Sequence, residues 1–469
     1  MYRNLFKFMA LLFILTVSVN VTVAEAASEY EENNSIATAT PISFESNKVI
    51  VDGVLATRYD DDYFSFTLTK PGKVVVKVNR NLNTRYNVKL YNAQQEELES
   101  YATSYNVDKG TQELFSQGLD AGTYYVKVEH YDGNGENVPY KLQVDYTQSN
   151  YYEKEFNNER ASANMIALNK KYYGWADYNS DYYVFEVPSS GEIKVGISRS
   201  LNTRYEVSLY NSAGDEMEAW YTYYGSESMG NVVHTGLPKG IYYLKVRTYD
   251  GDRYNALYGL KVDFKANSLF ETEDNDSTSL ADSLNVNKSM NGVISYSSDT
   301  DYYSLNLTKN MNLSLYLTNP KDTGFYVEVF NQNNSVYQYL YTEYGTGKLK
   351  NISNLNLKKG LYYIKVRHNK GEDKKVPYTL KVAQRDTTPP SIPTVNKVTT
   401  KSTKVTGKAE KGATVYVYRG SKKLGQVVAS SSSGSYSVKI AKQKRGTSLN
   451  VYAKDKAGNK SQIKTIKVQ

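Results

Sequence analysis

Apolar residues along this chain fall mostly on alternate positions. Val74-Val-Val-Lys-Val78, Tyr86-Asn-Val-Lys-Leu-Tyr91 and Tyr140-Lys-Leu-Gln-Val144 show the pattern, and recurrence every three or four residues is rare. A period of two places successive side chains on opposite faces of a strand, so one face is buried and the other wet. Val, Thr and Tyr suit such half-buried pleated surfaces, and the chain holds 46 tyrosines. Asp132-Gly133 and Asp250-Gly251 are expected to turn between strands. The pattern predicts an all-β fold.

The alternation is organised into three copies of one unit. Each opens on an acidic run: Glu29-Tyr-Glu-Glu-Asn-Asn34, Glu153-Lys-Glu-Phe-Asn-Asn158 and Glu271-Thr-Glu-Asp-Asn-Asp276. Each closes on Gly-x-Tyr-Tyr: Gly122-Thr-Tyr-Tyr-Val-Lys-Val128, Gly240-Ile-Tyr-Tyr-Leu-Lys-Val246 and Gly360-Leu-Tyr-Tyr-Ile-Lys-Val366. Successive closers lie 118 and 120 residues apart, enough for each unit to own a core. The expected modules are residues 28–146, 151–264 and 270–385, with joints short enough that neighbours touch. Residues 386–394 form a Pro-rich, extended linker, and six short strand patterns over residues 395–469 predict a small sandwich.

The ends of the chain add a location and a charge. Arg3 and Lys7, an apolar run from Phe8 and the small-x-small Ala24-Glu-Ala26 read as a secretory signal over residues 1–26, removed on export. No later segment is long and apolar enough to span a bilayer. With no cysteine, disulfides, thiolate metal sites and cysteine nucleophiles are excluded. Residues 387–469 hold 17 Lys and Arg against only Glu410 and Asp455, whereas the rest of the chain is net acidic. Such a tail attracts polyanions, here an anionic cell-wall polymer; no motif accompanies it that would read nucleic acid.

The openers carry the candidate chemistry. In extended chain, positions i, i+2 and i+4 share a face, so Glu29, Glu31 and Asn33 present oxygen ligands together. So do Glu153, Glu155 and Asn157, and Glu271, Glu273 and Asn275, with Asn34, Asn158 and Asp276 adjoining. Asp60 with Asp62, Asn179 with Asp181 and Asp299 with Asp301 follow in each module and are expected to complete oxygen-rich sites suited to Ca²⁺. The three histidines form no catalytic pattern, since His130 and His368 occupy a repeated position where the second module has Thr248. No zinc helix, nucleophile elbow or phosphate loop is present, so no enzyme is expected. Tyrosine supplies the remaining candidates. Tyr125, Tyr243 and Tyr363 should face outward from the closers, and Trp220, Tyr221 and Tyr341 from a middle strand, as contacts for an extracellular polymer.

These motifs resemble the bacterial pre-peptidase C-terminal domain family, whose collagen-binding relatives accompany secreted collagenases. Glu-x-Glu-x-Asn, Asp-x-Asp-Tyr, Leu-Tyr-Asn and Gly-x-Tyr-Tyr-x-Lys-Val carry the likeness. The tail, through Gly407-Lys-Ala-Glu-Lys-Gly412 and Ala453-Lys-Asp-Lys-Ala-Gly-Asn-Lys-Ser461, resembles a bacterial immunoglobulin-like domain of Gram-positive surface proteins. The resemblance implies three jelly-roll-like β-sandwiches, noncatalytic and in several members calcium-binding, followed by an Ig-like sandwich. The expected function is adhesion to a matrix protein or polysaccharide, with an accessory part of a peptidase system or a cell-surface spacer as alternatives.

Overall fold

A computed structural model describes residues 27–469 apart from 80–81, 106–110, 177–178, 199–200, 225–227, 252–255, 319 and 373. The expected signal, residues 1–26, lies outside the described residues.

In the first module the strands are β1 (Ala27–Ser28), β2 (Thr40–Pro41), β3 (Lys48–Leu55), β4 (Asp61–Leu68), β5 (Gly72–Asn79), β6 (Thr84–Asn92), β7 (Glu97–Ala102), β8 (Thr111–Leu119), β9 (Gly122–Gly133) and β10 (Val138–Gln148). They form two sheets, β1-β3-β10-β5-β8 and β2-β4-β9-β6-β7. Inward residues of both sheets, among them Val51, Val76 and Leu142 from one and Phe64, Leu90 and Val126 from the other, build a single core. The two-residue strands β1 and β2 pair in parallel with β3 and β4, while the long ladders are antiparallel. The second and third modules repeat this strand order, except that the counterpart of β1 is a single parallel bridge, Tyr152 with Tyr173 and Phe270 with Asn291, so that sheet has four strands. The alternation thus gives a β-sandwich three times over.

The closers follow the period of two. Tyr124, Tyr242 and Tyr362 point into the cores, and Tyr125, Tyr243 and Tyr363 stand half-buried on the outer face. Lys127 shares that outer face yet is buried, because Asp61 at 2.8 Å and Glu129 close over its ammonium. Asp132-Gly133 and Asp250-Gly251 do not turn the chain. They stay in register with Thr84 and Arg85, and with Thr203 and Arg204, after a one-residue shift of the ladder. The bulge absorbs the sheet twist there, and reversal comes only after Gly133.

The tail has a two-stranded sheet, Lys404–Lys408 with Ser435–Lys439, and a four-stranded sheet ordered Lys422–Val428, Thr414–Arg419, Ser448–Lys454 and Lys464–Lys467. Val405, Val415, Val417, Val438, Leu449 and Val451 fill the space between them. The linker has no strand of its own, but Thr394 N donates to Lys408 O at 2.8 Å, so it merges into the edge of the smaller sheet.

Chain packing divides the protein into two compact units, one running through Val187 with Lys194–Val233 and Gly240–Phe264, the other made of Pro188–Ile193, His234–Lys239 and Lys265–Gln469. Within each unit one joint between modules is visible. Gly118, near the end of β8, is buried so close to the next opener that a Cβ would lie 1.8 Å from Glu153 O. Gly236, its counterpart in the second module, has Glu271 O at the same 1.8 Å. At the equivalent place in the third module stands Asn356, exposed, accepting from Arg385 Nη2 at 3.0 Å.

Candidate metal centres and aromatic faces

Each opener is sewn to both sheets of its sandwich. The first glutamate reaches toward the sheet of β3: Glu29 Oε1 accepts from Val54 N at 2.6 Å, Glu153 from Trp175 N, and Glu271 from Val293 N at 2.5 Å. Four residues on, the asparagine carbonyl fastens to the other sheet. Asn33 O accepts from Tyr63 N at 3.0 Å, Asn157 O from Tyr182 N at 2.8 Å and Asn275 O from Tyr302 N at 3.1 Å. This stitching brings the opener against the second Asp of the loop, whose side chain points inward because it already belongs to the strand.

Three carboxylates converge in each module. Glu29, Glu31 and Asp62, then Glu153, Glu155 and Asp181, then Glu271, Glu273 and Asp301 each place ligand atoms within 4.8 Å of one another. The peptide bond after the second of these glutamates is cis in all three. Asn33, Asn157 and Asn275 lie fully buried beside the clusters. Asp60 and Asp299 stay outside the clusters. Each accepts from its own loop, from Ala56 N at 2.6 Å and Ser295 N at 2.5 Å, while its charge still raises the neighbouring clustered carboxyls, and Asn179 is exposed. Asp276 accepts from Thr300 N at 3.1 Å; Asn34, its counterpart, is exposed, and Asn158 is half-buried.

A tyrosine on the last strand binds each cluster together. Tyr140 OH donates to Asp62 Oδ2 at 2.6 Å and Tyr258 OH to Asp181 Oδ2 at 2.6 Å, while Tyr378 OH donates to Asp301. The rings lie over Gly53, Gly174 and Gly292, where any Cβ would come within 2.5 Å of the ring. Tyr183 and Tyr303 add a second phenol, donating to Glu153 Oε2 and Glu271 Oε2 at 2.7 Å; the first module has Phe64 at that place. Sequence reasoning missed these tyrosines, which look like ordinary members of core strands. Their recurrence 77 or 78 residues after the loop aspartate is the signal that would have found them.

Electrostatics shows what the clusters lack. Burial, followed by the neighbouring carboxylates, pushes the Asp62 carboxyl up to about 9 against the stabilising Tyr140 bond. Burial pushes Glu153 and Glu271 up to about 8, and Asp301 well above the carboxylate range. Asp62 Oδ1, Asp301 Oδ1 and the amide oxygens of Asn33, Asn157 and Asn275 are buried with no hydrogen-bond donor. Unsatisfied buried oxygens beside clustered carboxylates are the arrangement that a hard cation resolves, since it supplies charge to the carboxylates and a partner to the oxygens. The residues present fit such an ion.

The outer faces carry the aromatic residues. A buried threonine after each edge strand accepts from the backbone of the neighbouring strand: Tyr86 N to Thr103 Oγ1 at 2.8 Å, Tyr205 N to Thr222 Oγ1 at 2.8 Å and Phe325 N to Thr342 Oγ1 at 2.7 Å. Two residues later stands an exposed tyrosine with a cation over its ring. Arg85 lies 5.7 Å from Tyr105, Arg204 5.6 Å from Tyr224 and Lys370 5.2 Å from Tyr344. Tyr221 and Tyr341 are exposed beside these groups, with Tyr221 packed on Tyr249 at 4.7 Å and Tyr341 on Tyr326 at 5.0 Å. Trp220 departs from the expected surface. It is in register with the core residue Val207, so it faces the opposite side of its strand from Tyr221 and is half-buried, its Nε1 donating to Glu218 at 2.9 Å.

Comparison with known proteins agrees with the residues. Residues 299–368 match the family model of the bacterial pre-peptidase C-terminal domain, and residues 389–469 that of a bacterial Ig domain. The third module is thus similar to a pre-peptidase C-terminal domain, its sandwich is repeated in the first two modules, and the tail is similar to a bacterial Ig domain. Collagenase ColA of Clostridium perfringens is 24% identical over 63% of this chain and 28% of its own length. Collagenase ColT of Clostridium tetani is 28% identical over 48% of this chain and 23% of its own. The chain therefore spans about a quarter of the length of these curated relatives. A solved pre-peptidase C-terminal domain from a Bacillus anthracis collagenase is 23% identical and covers 23% of this chain and 100% of its own, with a TM-score of 0.20. Both matched families are accessory modules rather than catalytic domains. Among the described residues no helix is long and apolar enough to cross a membrane.

Proposed function

We propose that this is a secreted, noncatalytic adhesion protein whose pre-peptidase C-terminal modules, stabilised by Ca²⁺, bind an extracellular polymer of collagen type, while the basic Ig domain keeps the protein near an anionic cell envelope. One observation carries the reading. In all three modules an exposed tyrosine, held in place by a buried threonine, lies under a cation at the same position of the same sheet. Rigid aromatic area with a polar tip, flanked by a guanidinium or ammonium, suits a long repetitive ligand with apolar rings and carbonyl acceptors, and three copies in one chain add avidity. Glu29, Glu31, Asn33 and Asp62, with their counterparts in the other modules, would hold the ion. Its role there is structural: it would neutralise the carboxylates that tie the opener to the sandwich.

Co-sedimentation of the full chain with fibrillar collagen, chitin and isolated cell wall, in calcium and in chelator, tests the proposal. Tyr224→Ala with Tyr249→Ala is expected to weaken collagen binding by about thirtyfold, the effect of losing about 2 kcal/mol at an aromatic hot spot. The melting profile should be unchanged, because both rings are exposed. Wild-type affinity in this variant would leave the aromatic face without a binding role. Removing residues 387–469 should release the protein from wall material, and about 1 M salt, where the screening length shrinks to about 3 Å, should remove the charge-only part of that attachment. Retention of the truncated chain would place the attachment elsewhere. The collagenase relatives favour one further reading, that the chain serves a peptidase as its substrate-gripping part; co-purification with a protease would distinguish it.

A further inference from the structure

The outer face of the Ig domain's four-stranded sheet is built around three stacked tyrosines. Tyr416 and Tyr418 lie two residues apart on Thr414–Arg419, facing away from the buried Val415 and Val417. Tyr452, on the adjacent strand Ser448–Lys454, stacks on both, 5.0 Å from Tyr416 at 15° and 5.8 Å from Tyr418 at 22°. All three are partly exposed, so the rings form a flat apolar strip with hydroxyls at its rim. Lysines surround it. Lys460 Nζ sits 4.0 Å from the Tyr452 ring centroid; Lys454 follows Tyr452 on the same face; Lys423 stands in register with Tyr418. All three lysines are exposed. Of the tail's two acids, Asp455 accepts from Asn459 N at 2.8 Å within its own turn, and Glu410 lies off this sheet.

Charge alone would need lysines but no aromatic strip, and the core beneath is complete without the outward rings. We propose that this face binds an acidic polysaccharide of the bacterial envelope, its sugar rings stacked on Tyr416, Tyr418 and Tyr452 and its carboxylates or phosphates paired with Lys423, Lys454 and Lys460. The inference rests on the reading of the tail as an envelope anchor and deepens it, from a diffuse attraction to a built site. Stacking is short-ranged and persists in salt, whereas ammonium attraction is screened.

The test compares two probes on the full chain: polygalacturonate, which has rings and charge, and inorganic polyphosphate, which has charge alone. Wild type should bind both at low salt and keep polygalacturonate, but not polyphosphate, at about 1 M salt. Tyr416→Ala with Tyr452→Ala leaves the charge unchanged and should lose at least about tenfold in polygalacturonate affinity at high salt while keeping polyphosphate at low salt. If that variant lowers the Ig domain's melting transition, Tyr418→Ser, at the end of the strip, takes its place with the same expectation. Wild-type binding that is equal for both probes and vanishes for both at high salt overturns the site while sparing the anchor. So does a folded tyrosine variant that holds polygalacturonate as wild type does. No binding of either probe at low salt overturns the anchor and the site together.

Discussion

In excess chelator, the melting temperature of the full chain should fall as pH rises from about 5 to about 8, and calcium should abolish that fall. The sign comes from the buried carboxyls. Glu153 and Glu271 are held near 8 and Asp62 near 9 by burial, with neighbouring carboxylates adding to the shift. In the unfolded chain such groups ionise near 4. Between those limits the folded protein keeps protons that the unfolded chain has released, so the contribution of these groups to metal-free stability is fully present below about pH 4 and is lost as pH climbs through the folded values. A cation displaces the protons, and its stabilising increment must therefore grow with pH. At a free concentration one hundred times the dissociation constant, mass action contributes about 2.7 kcal/mol for one site. For a domain of this size that is a shift on the order of 10 °C. Asp301→Asn should remove the calcium response of the third module's transition without lowering its melting point in chelator, because the amide, like the protonated carboxyl it replaces, is neutral and can still accept from Tyr378 OH. Superimposable melting curves in calcium and chelator at about pH 8 would dismiss the metal.

The second large effect belongs to the joint glycines. Gly118→Val places a side chain where Glu153 O stands 1.8 Å from an ideal Cβ, and the first joint must open or shift. Overpacking of a close contact costs about 1–3 kcal/mol, or about a five- to 150-fold rise in the population of the opened joint. Proteolysis within residues 147–150 should accelerate accordingly, while the melting transitions of the modules stay in place, since neither core is touched. Gly236→Val should act in the same way on residues 265–269, where the conflict is with Glu271 O. Asn356→Val is the control and should change nothing, because Asn356 is exposed. Unaltered cleavage in the first two variants would mean that the modules are not held by this contact.

The sandwich was legible because alternation and threefold repetition reinforce one another, and the convergence of the opener glutamates beside their asparagines was legible because extended chain aligns every second side chain. The limits have physical causes. Asp60 and Asp62 look alike in sequence, but Asp60 belongs to the turn and caps its own backbone, while Asp62 has entered β4 and points to the core. Tyr140, Tyr258 and Tyr378 sit on strands of good alternation, and nothing local says that their hydroxyls end on a carboxylate 77 or 78 residues away. Trp220 and Tyr221 were grouped as one aromatic surface although neighbours on a strand face opposite ways, and the register with Val207 decides which one reaches solvent.

Asn356 gives the modules a grammar. At Gly118 and Gly236 a Cβ would stand 1.8 Å from the carbonyl of the next opener, so a module with asparagine at this position is expected not to accept an opener in the same way. Recombinant arrays built from these parts can therefore be lengthened by copying the first or second module, but extension after the third calls for Asn356→Gly at the splice. The order of the units is written in a single residue type, and a designer who shuffles them without reading it will make chains whose links hang loose.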